Sequence, residues 1–273
     1  MFTLLHSFHP ASILLSFGPL TIHWYGLCLV LAIGTAIFVS IKLGKYYHIS
    51  KEMMLDLAIY LIIGGLLGAR IYEIFLEFPY YSHNLLAIIK IWEGGLAIHG
   101  AIIGGIIAAL YFAKKNKLSL SHLIALVVPG VAIGQAIGRW GNWFNQELFG
   151  LPSNLPWSIP IEIINRPLQY INSSYFHPTF LYESIGSFLI FCLLLFLSYH
   201  WRQSLKLKYA KIIIFIYLFT YSLLRFSLEF IKIDQTPMFL GLRWPQIASL
   251  ITIIISFIIL FSAFKNRDKS ESI

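Results

Sequence analysis

Apolar residues gather into long runs separated by short polar segments. A membrane-spanning helix needs about 20 mostly apolar residues. Seven stretches meet that need: 20–41, 54–76, 95–113, 122–143, 179–199, 211–230 and 245–264. The third is interrupted by glycines but ends cleanly at Lys114-Lys115. The pattern predicts an all-α polytopic membrane protein with seven transmembrane helices, forming one integral membrane domain over residues 1–273. Glycines at four-residue spacing (Gly64/Gly68, Gly100/Gly104, Gly130/Gly134/Gly138) predict places where helix backbones approach closely. One connection is long, about 144–178, and contains Pro152, Pro156, Pro160 and Pro167. It predicts an extracytoplasmic arm with a short strand pair, and loops of that length are usually functional or mobile.

Composition agrees. The chain is 58% hydrophobic and 12% charged, with mean hydropathy +0.76. Soluble domains carry about a quarter charged residues, so soluble, disordered and disulfide-stapled classes are excluded. A net charge of +8 and a pI near 9.4 would suit nucleic acid binding. The basic residues, however, sit in short clusters between apolar runs, which is the pattern of a topology signal rather than of a groove-tracking patch. No nucleic acid partner is expected.

One set of loops holds Lys42, Lys45, Lys51, Lys114, Lys115, Lys117, Arg202, Lys206, Lys208, Lys211, Lys265, Arg267 and Lys269. The other set holds only Lys90, Arg166, Lys232 and Arg243. The positive-inside rule then puts the N-terminus outside and the C-terminus in the cytoplasm. Cys28 and Cys192 both lie in apolar runs without metal-ligand spacing and read as buried packing thiols. The first twenty residues lack an early basic cluster and an A-x-A-like cleavage site, so no cleaved signal peptide is expected.

With that orientation, the ionisable residues inside the spans share a depth. Such groups are costly in a bilayer and mark functional sites by default. His23, Trp24 and Tyr25 open the first span; Arg70, Tyr72 and Glu73 close the second; His99 lies in the first turns of the third. Arg139, Asn142 and Asn145, followed by Glu147, close the fourth. His177, Tyr182 and Glu183 open the fifth, and Tyr221, Arg225 and Glu229 close the sixth. The inner halves are almost purely apolar. An ion path needs polar groups through the full depth, whereas a site opening to the outer leaflet does not. Lipid chemistry is therefore favoured over transport. No internal repeat is evident, which weakens transporter plans built from inverted halves.

Tyr221, Arg225 and Glu229 are spaced i, i+4, i+8 and share a helix face. Taken alone, Arg225–Glu229 is equally well read as a self-contained pair. Arg139 has no carboxylate at i±4 and must find its anion elsewhere. Two arginines facing one cavity suit a phosphate, because guanidinium forks bind its oxygens in bidentate fashion. Arg70 is read as pairing with Glu73. His99 is either a histidine bonded to a neighbour or the general base.

The string GRWGNWFNQELFG at 138–150 resembles a hallmark of the phosphatidylglycerol–prolipoprotein diacylglyceryl transferase family. HWYG at 23–26, GGLAIHG at 94–100, HPTFLYE at 177–183 and YSLLRFSLEF at 221–230 agree in order and spacing. The likeness runs from about residue 18 to 250. It departs at Ala125, where the family commonly carries an aspartate, so no role is assigned to that acid.

The resemblance implies a bacterial enzyme of the cell inner (cytoplasmic) membrane. Such an enzyme transfers the diacylglyceryl group of phosphatidylglycerol to the lipobox cysteine of a prelipoprotein, forming a thioether and releasing glycerol phosphate. It implies neither metal nor organic cofactor. It makes Arg139 and Arg225 phosphate-binding arginines and His99 the essential histidine. Tyr25, Asn142, Glu147, Tyr221 and Glu229 match further positions needed for activity; Tyr25 and Asn142 are expected to bind phosphatidylglycerol by hydrogen-bonding the headgroup glycerol, and Glu147, Tyr221, Glu229 and Asn145 to support the site. Phosphatidylglycerol, prelipoprotein peptides and surrounding membrane lipids are the expected partners. A lipid or anion transporter using the same arginines is the rival from another class. An intramembrane protease is disfavoured, because neither GxSG nor HExxH occurs.

Overall fold

The structure is a computed structural model that describes residues 2–18, 20–202 and 207–268. Lys206 and Lys269 of the basic clusters lie outside the described residues. In chain order the helices are α1 (Phe2–Ser7), α2 (Trp24–Gly44), α3 (Lys51–Leu76), α4 (Phe78–His83) and α5 (Ile98–Lys115). They continue with α6 (Leu120–Phe144), α7 (Thr179–His200), α8 (Leu207–Leu228) and α9 (Trp244–Asp268). Three antiparallel strand pairs accompany them: β1 (Ile13–Phe17) with β2 (Leu20–His23), β3 (Ile159–Pro160) with β4 (Tyr175–Phe176), and β5 (Met238–Phe239) with β6 (Leu242–Arg243).

Among the described residues, seven helices (α2, α3, α5, α6, α7, α8 and α9) are long and apolar enough to cross a membrane. Val30, Ile63, Ile107, Phe196 and Phe261 are exposed on them, as expected where the solvent is lipid. The chain is a multi-pass membrane protein. Its first span starts later than the hydropathy run suggests, because Leu20–His23 is taken up by β2. LTIH alternates apolar and polar, the two-residue period of a strand.

The chain divides into two compact units, Met1–Val39 with Val127–Ile273, and Ser40–Leu126. In the second, α3 and α5 pack on one another through glycines as the four-residue spacing predicts. A Cβ on Gly68 would overlap the Gly100 carbonyl oxygen, and one on Gly104 would overlap that of Gly64. The third glycine set is different. Gly138 has open space where a side chain would stand, and Gly134 makes only ordinary contact with Ala32. Arg70 also departs from expectation. Its guanidinium donates not to Glu73 but to the backbone carbonyls of Ala87, Ile88, Lys90, Gly94 and Gly95. Gly95 has φ 71°, and a Cβ there would stand 2.7 Å from Arg70 Nη1.

In the first unit, the α6–α7 connection is a packed arm rather than a loose loop. Trp143, Phe149, Ile159, Ile161, Phe176 and Phe180 form a buried cluster. Within it, the rings of Trp143 and Phe180 stack with centroids 5.5 Å apart. Gln146 ties the arm down: its Nε2 donates to Pro10 O at 3.1 Å, and its Oε1 accepts from Glu162 N at 2.7 Å. The cysteines part company. Cys28 is buried as expected, whereas Cys192 is exposed on α7, and both are free.

Candidate active site

Three helices of the first unit end their polar residues on one carboxylate. Arg139 sits in the last two turns of α6, Glu183 in the second turn of α7 and Arg225 in the last turn of α8. Arg139 Nη2 donates to Glu183 Oε1 at 2.6 Å, and Arg225 Nη1 donates to Glu183 Oε2 at 3.2 Å. The Tyr221 hydroxyl donates to Oε1 at 3.2 Å, and Lys232 Nζ stands 3.4 Å from Oε2. Glu183 is 1% exposed. An ionised carboxylate out of water costs several kcal/mol unless it is paired and fully bonded, and here three cations and a hydroxyl meet that cost.

The network continues outward from Arg225. Its Nη2 donates to Glu229 Oε2 at 3.3 Å, the i,i+4 pair that the sequence anticipates. Glu229 Oε1 lies 3.3 Å from Arg243 Nε, and Arg243 also pairs with Asp234 at 3.6 Å. Arg243 Nη1 donates to the backbone oxygens of Glu229 and Lys232, fixing the turn that presents Lys232. In this ion-pair network, four cations (Arg139, Arg225, Lys232, Arg243) face three carboxylates (Glu183, Glu229, Asp234). One positive charge is left over.

Arg139 is oriented from its other side as well. Its Nη1 donates to Asn142 Oδ1 at 3.1 Å, and Asn142 Nδ2 donates to Glu147 Oε1 at 2.7 Å. Glu147 thus acts on Arg139 through the Asn142 amide. Tyr25 packs on the same helix, since a Cβ on Gly141 would stand 2.8 Å from its ring. Asn145 lines a cavity of about 660 Å³ of mixed character, with Glu147, Asp234 and Gln235 among its polar lining and Phe149, Leu168 and Ile233 among its apolar lining. Beside the site, His177 Nδ1 and the Tyr182 hydroxyl are 3.3 Å apart, and burial holds the His177 pKa below its ordinary value.

Two backbone connections knit this region together. Gly150 N donates to His177 O at 2.9 Å, and Leu151 N donates to Ile231 O at 2.8 Å. A Cβ on Gly150 would stand 2.8 Å from Ile231 O and 2.9 Å from both His177 and Thr179. The last glycine of the 138–150 motif is therefore where three segments meet.

Eight of the nine residues given a role in the expected site lie in the first unit. Of these, Arg139, Asn142, Glu147, Tyr221, Arg225 and Glu229 form one connected network, while Tyr25 and Asn145 line its neighbourhood. His99 belongs to the second unit, exposed in the first turn of α5, with its ring centroid 6.0 Å from that of Tyr72. Sequence reasoning placed Glu183 at the right depth but gave it no role, and it treated Lys232 and Arg243 as loop charges. The available signal was an unpaired Arg139 at a depth where a fifth-span carboxylate also sat.

The sequence profile of the prolipoprotein diacylglyceryl transferase family matches residues 12–262. A protein of Synechococcus elongatus named phosphatidylglycerol–prolipoprotein diacylglyceryl transferase is 44% identical over 245 residues, covering 89% of this chain and 84% of its own. A protein of the same name from Nostoc is 43% identical over 242 residues, covering 88% and 85%. Another from Prochlorococcus marinus subsp. pastoris is 37% identical and covers 96% of each chain. The motif at 138–150, which supplies Arg139, Asn142, Glu147 and Gly150, falls inside the matched region, and the chain belongs to the prolipoprotein diacylglyceryl transferase family.

Proposed function

We propose that Arg139 and Arg225 form the centre at which this transferase moves the diacylglyceryl group of phosphatidylglycerol to the lipobox cysteine of a prolipoprotein. One observation carries the assignment of the site: both guanidinium groups converge on the two oxygens of a single buried anion. A phosphodiester offers the same two-oxygen fork to the two guanidinium groups.

The thiol must lose its proton to attack, since the thiolate is the nucleophile. His99 takes that proton directly or through water. The sulfur then bonds to the glycerol carbon that bears the phosphate, and the carbon–oxygen bond to phosphate breaks. The electron pair leaves on oxygen, so the diester departs as glycerol phosphate with added negative charge. Arg139 and Arg225 stabilise that charge in a water-poor site, where one such donor is worth about 10²–10³ in rate. Asn142 and Glu147 hold Arg139 in register, and Glu229 does the same for Arg225. Tyr221 and Asn145 support the network, and Tyr25 meets the headgroup.

The distribution of basic residues supports an N-terminus outside and a C-terminus in the cytoplasm, and membership of the family supports residence in the bacterial inner membrane. The family match runs through both units and supports one functional membrane domain. Membrane lipids surround it, and no nucleic acid takes part.

The test is a model prolipoprotein peptide incubated with phosphatidylglycerol and membranes that carry the protein, then weighed by mass spectrometry. The wild type should add one diacylglyceryl unit to the cysteine. Arg139→Ala, Arg225→Ala and His99→Ala should fold and lose transfer. Wild-type rates in Arg139→Ala would rule out the phosphate clamp. An unmodified cysteine with lipid moved between leaflets would support a transporter instead.

A further inference from the structure

Helix α8 carries cations at both ends. Arg225 belongs to the site described above. At the other end, Lys208 and Lys211 stand one turn apart and therefore share a face. At 1.5 Å per residue, the axial separation from Arg225 is about 21 Å for Lys211 and about 26 Å for Lys208. The hydrocarbon layer of a bilayer is about 30 Å thick. The lysine pair therefore lies at the headgroup level of one leaflet when Arg225 lies near that of the other.

Both lysines line a recess of about 280 Å³ between α8 and α9, whose apolar wall includes Ile212, Phe215, Ile259 and Ala263. Among the described residues, no carboxylate lines this recess. Lys265, exposed and two residues beyond Ala263 on α9, adds positive charge at the same end. A soluble anion would leave the apolar wall uncovered. A neutral lipid would make no use of two ammonium groups. Only a molecule with an anionic head and a hydrocarbon body satisfies both halves.

We propose that this recess binds one anionic phospholipid of the leaflet opposite the transfer site. Its phosphate rests on Lys208 and Lys211, and an acyl chain lies against Phe215 and Ile259. This lipid is a bound companion rather than the molecule consumed. The proposal rests only on the chain spanning a bilayer and not on the assignment of the transfer site.

The experiment uses the full-length protein in phosphatidylcholine nanodiscs titrated with phosphatidylserine, with bound copies counted by native mass spectrometry. Lys208→Gln/Lys211→Gln should lose one bound copy, with affinity for it about thirtyfold weaker, as two lysines at a charged membrane surface would give. Ala263→Trp, which fills the recess and keeps both lysines, should lose the same copy. Lys114→Gln/Lys115→Gln, in a different basic cluster, should retain it. Retention by the Lys208/Lys211 variant or by Ala263→Trp would overturn the proposal. An equal loss in the Lys114/Lys115 variant would overturn it too, because attraction would then be a diffuse property of the basic face.

Discussion

Arg139 and Glu183, 44 residues apart in the chain, meet at 2.6 Å and join α6 to α7 at the centre of the polar network. Glu183 is the group that makes two arginines and a lysine compatible with a single small volume. Replacing it with the near-isosteric glutamine removes the charge and keeps the shape. Glu183→Gln should lower kcat about 10²-fold, because the arginines lose the anion that registers them. KM for phosphatidylglycerol should stay level or fall, because the network gains net positive charge. Steady-state kinetics check this, and an unchanged kcat would contradict it.

Arg139 uses different nitrogens for Asn142 and Glu183. A lysine has one nitrogen and no fork. Arg139→Lys should therefore lose nearly as much transfer as Arg139→Ala, although the charge is kept. Initial rates of peptide lipidation decide it. A lysine variant with rates close to wild type would mean that charge alone suffices.

Lys232 gives the site a pH dependence. Burial holds its pKa below the ordinary lysine range, with Glu183 pulling the other way. Because the folded-state pKa lies below the unfolded one, the stability contributed by this group rises with pH across that window. The charge facing Glu183 moves oppositely, falling as the amine loses its proton. Transfer should therefore decline on the alkaline side earlier than an ordinary lysine would cause. Lys232→Arg, whose charge is fixed, should shift that limb to higher pH. A pH–rate profile unaltered by the substitution would remove Lys232 from the explanation.

Gly150 should tolerate no side chain. A Cβ there meets Ile231 O at 2.8 Å, which is backbone rather than a yielding side-chain end. Gly150→Ala should destabilise the protein by about 1–3 kcal/mol, the usual cost of overpacking. It should also reduce transfer, since Lys232 is bridged to this residue. Thermal unfolding in detergent, followed by tryptophan fluorescence, measures the first effect.

The seven spans were legible because each is a long apolar run whose burial in lipid is dictated locally. The α3–α5 glycine contacts were legible for the same reason, as their spacing alone brings small residues to one face. The β1–β2 hairpin was hidden because its second strand is apolar enough to merge with the span that follows. The Arg225–Glu229 pair is local and could be read directly. Glu183 could not, since its partners are 38 to 49 residues away and only helix packing brings them together. Arg70 misled for a related reason. A carboxylate one turn away looks sufficient until the chain offers a ring of backbone carbonyls instead.

Both ends of the arm are fastened before it leaves the helices. Gly150 is bridged to Lys232 and Pro152 to Phe176, so the segment between 153 and 175 departs from and returns to a closed neck. Within it, β3 and β4 pair and Ile159 and Ile161 are buried, so only the tip about Ile163, Ile164 and Leu168, where these side chains are exposed, can change length without disturbing the packing beneath. Changes confined to that tip alter what the arm presents to an approaching peptide and leave the packed base, and the arginine cluster, as they are.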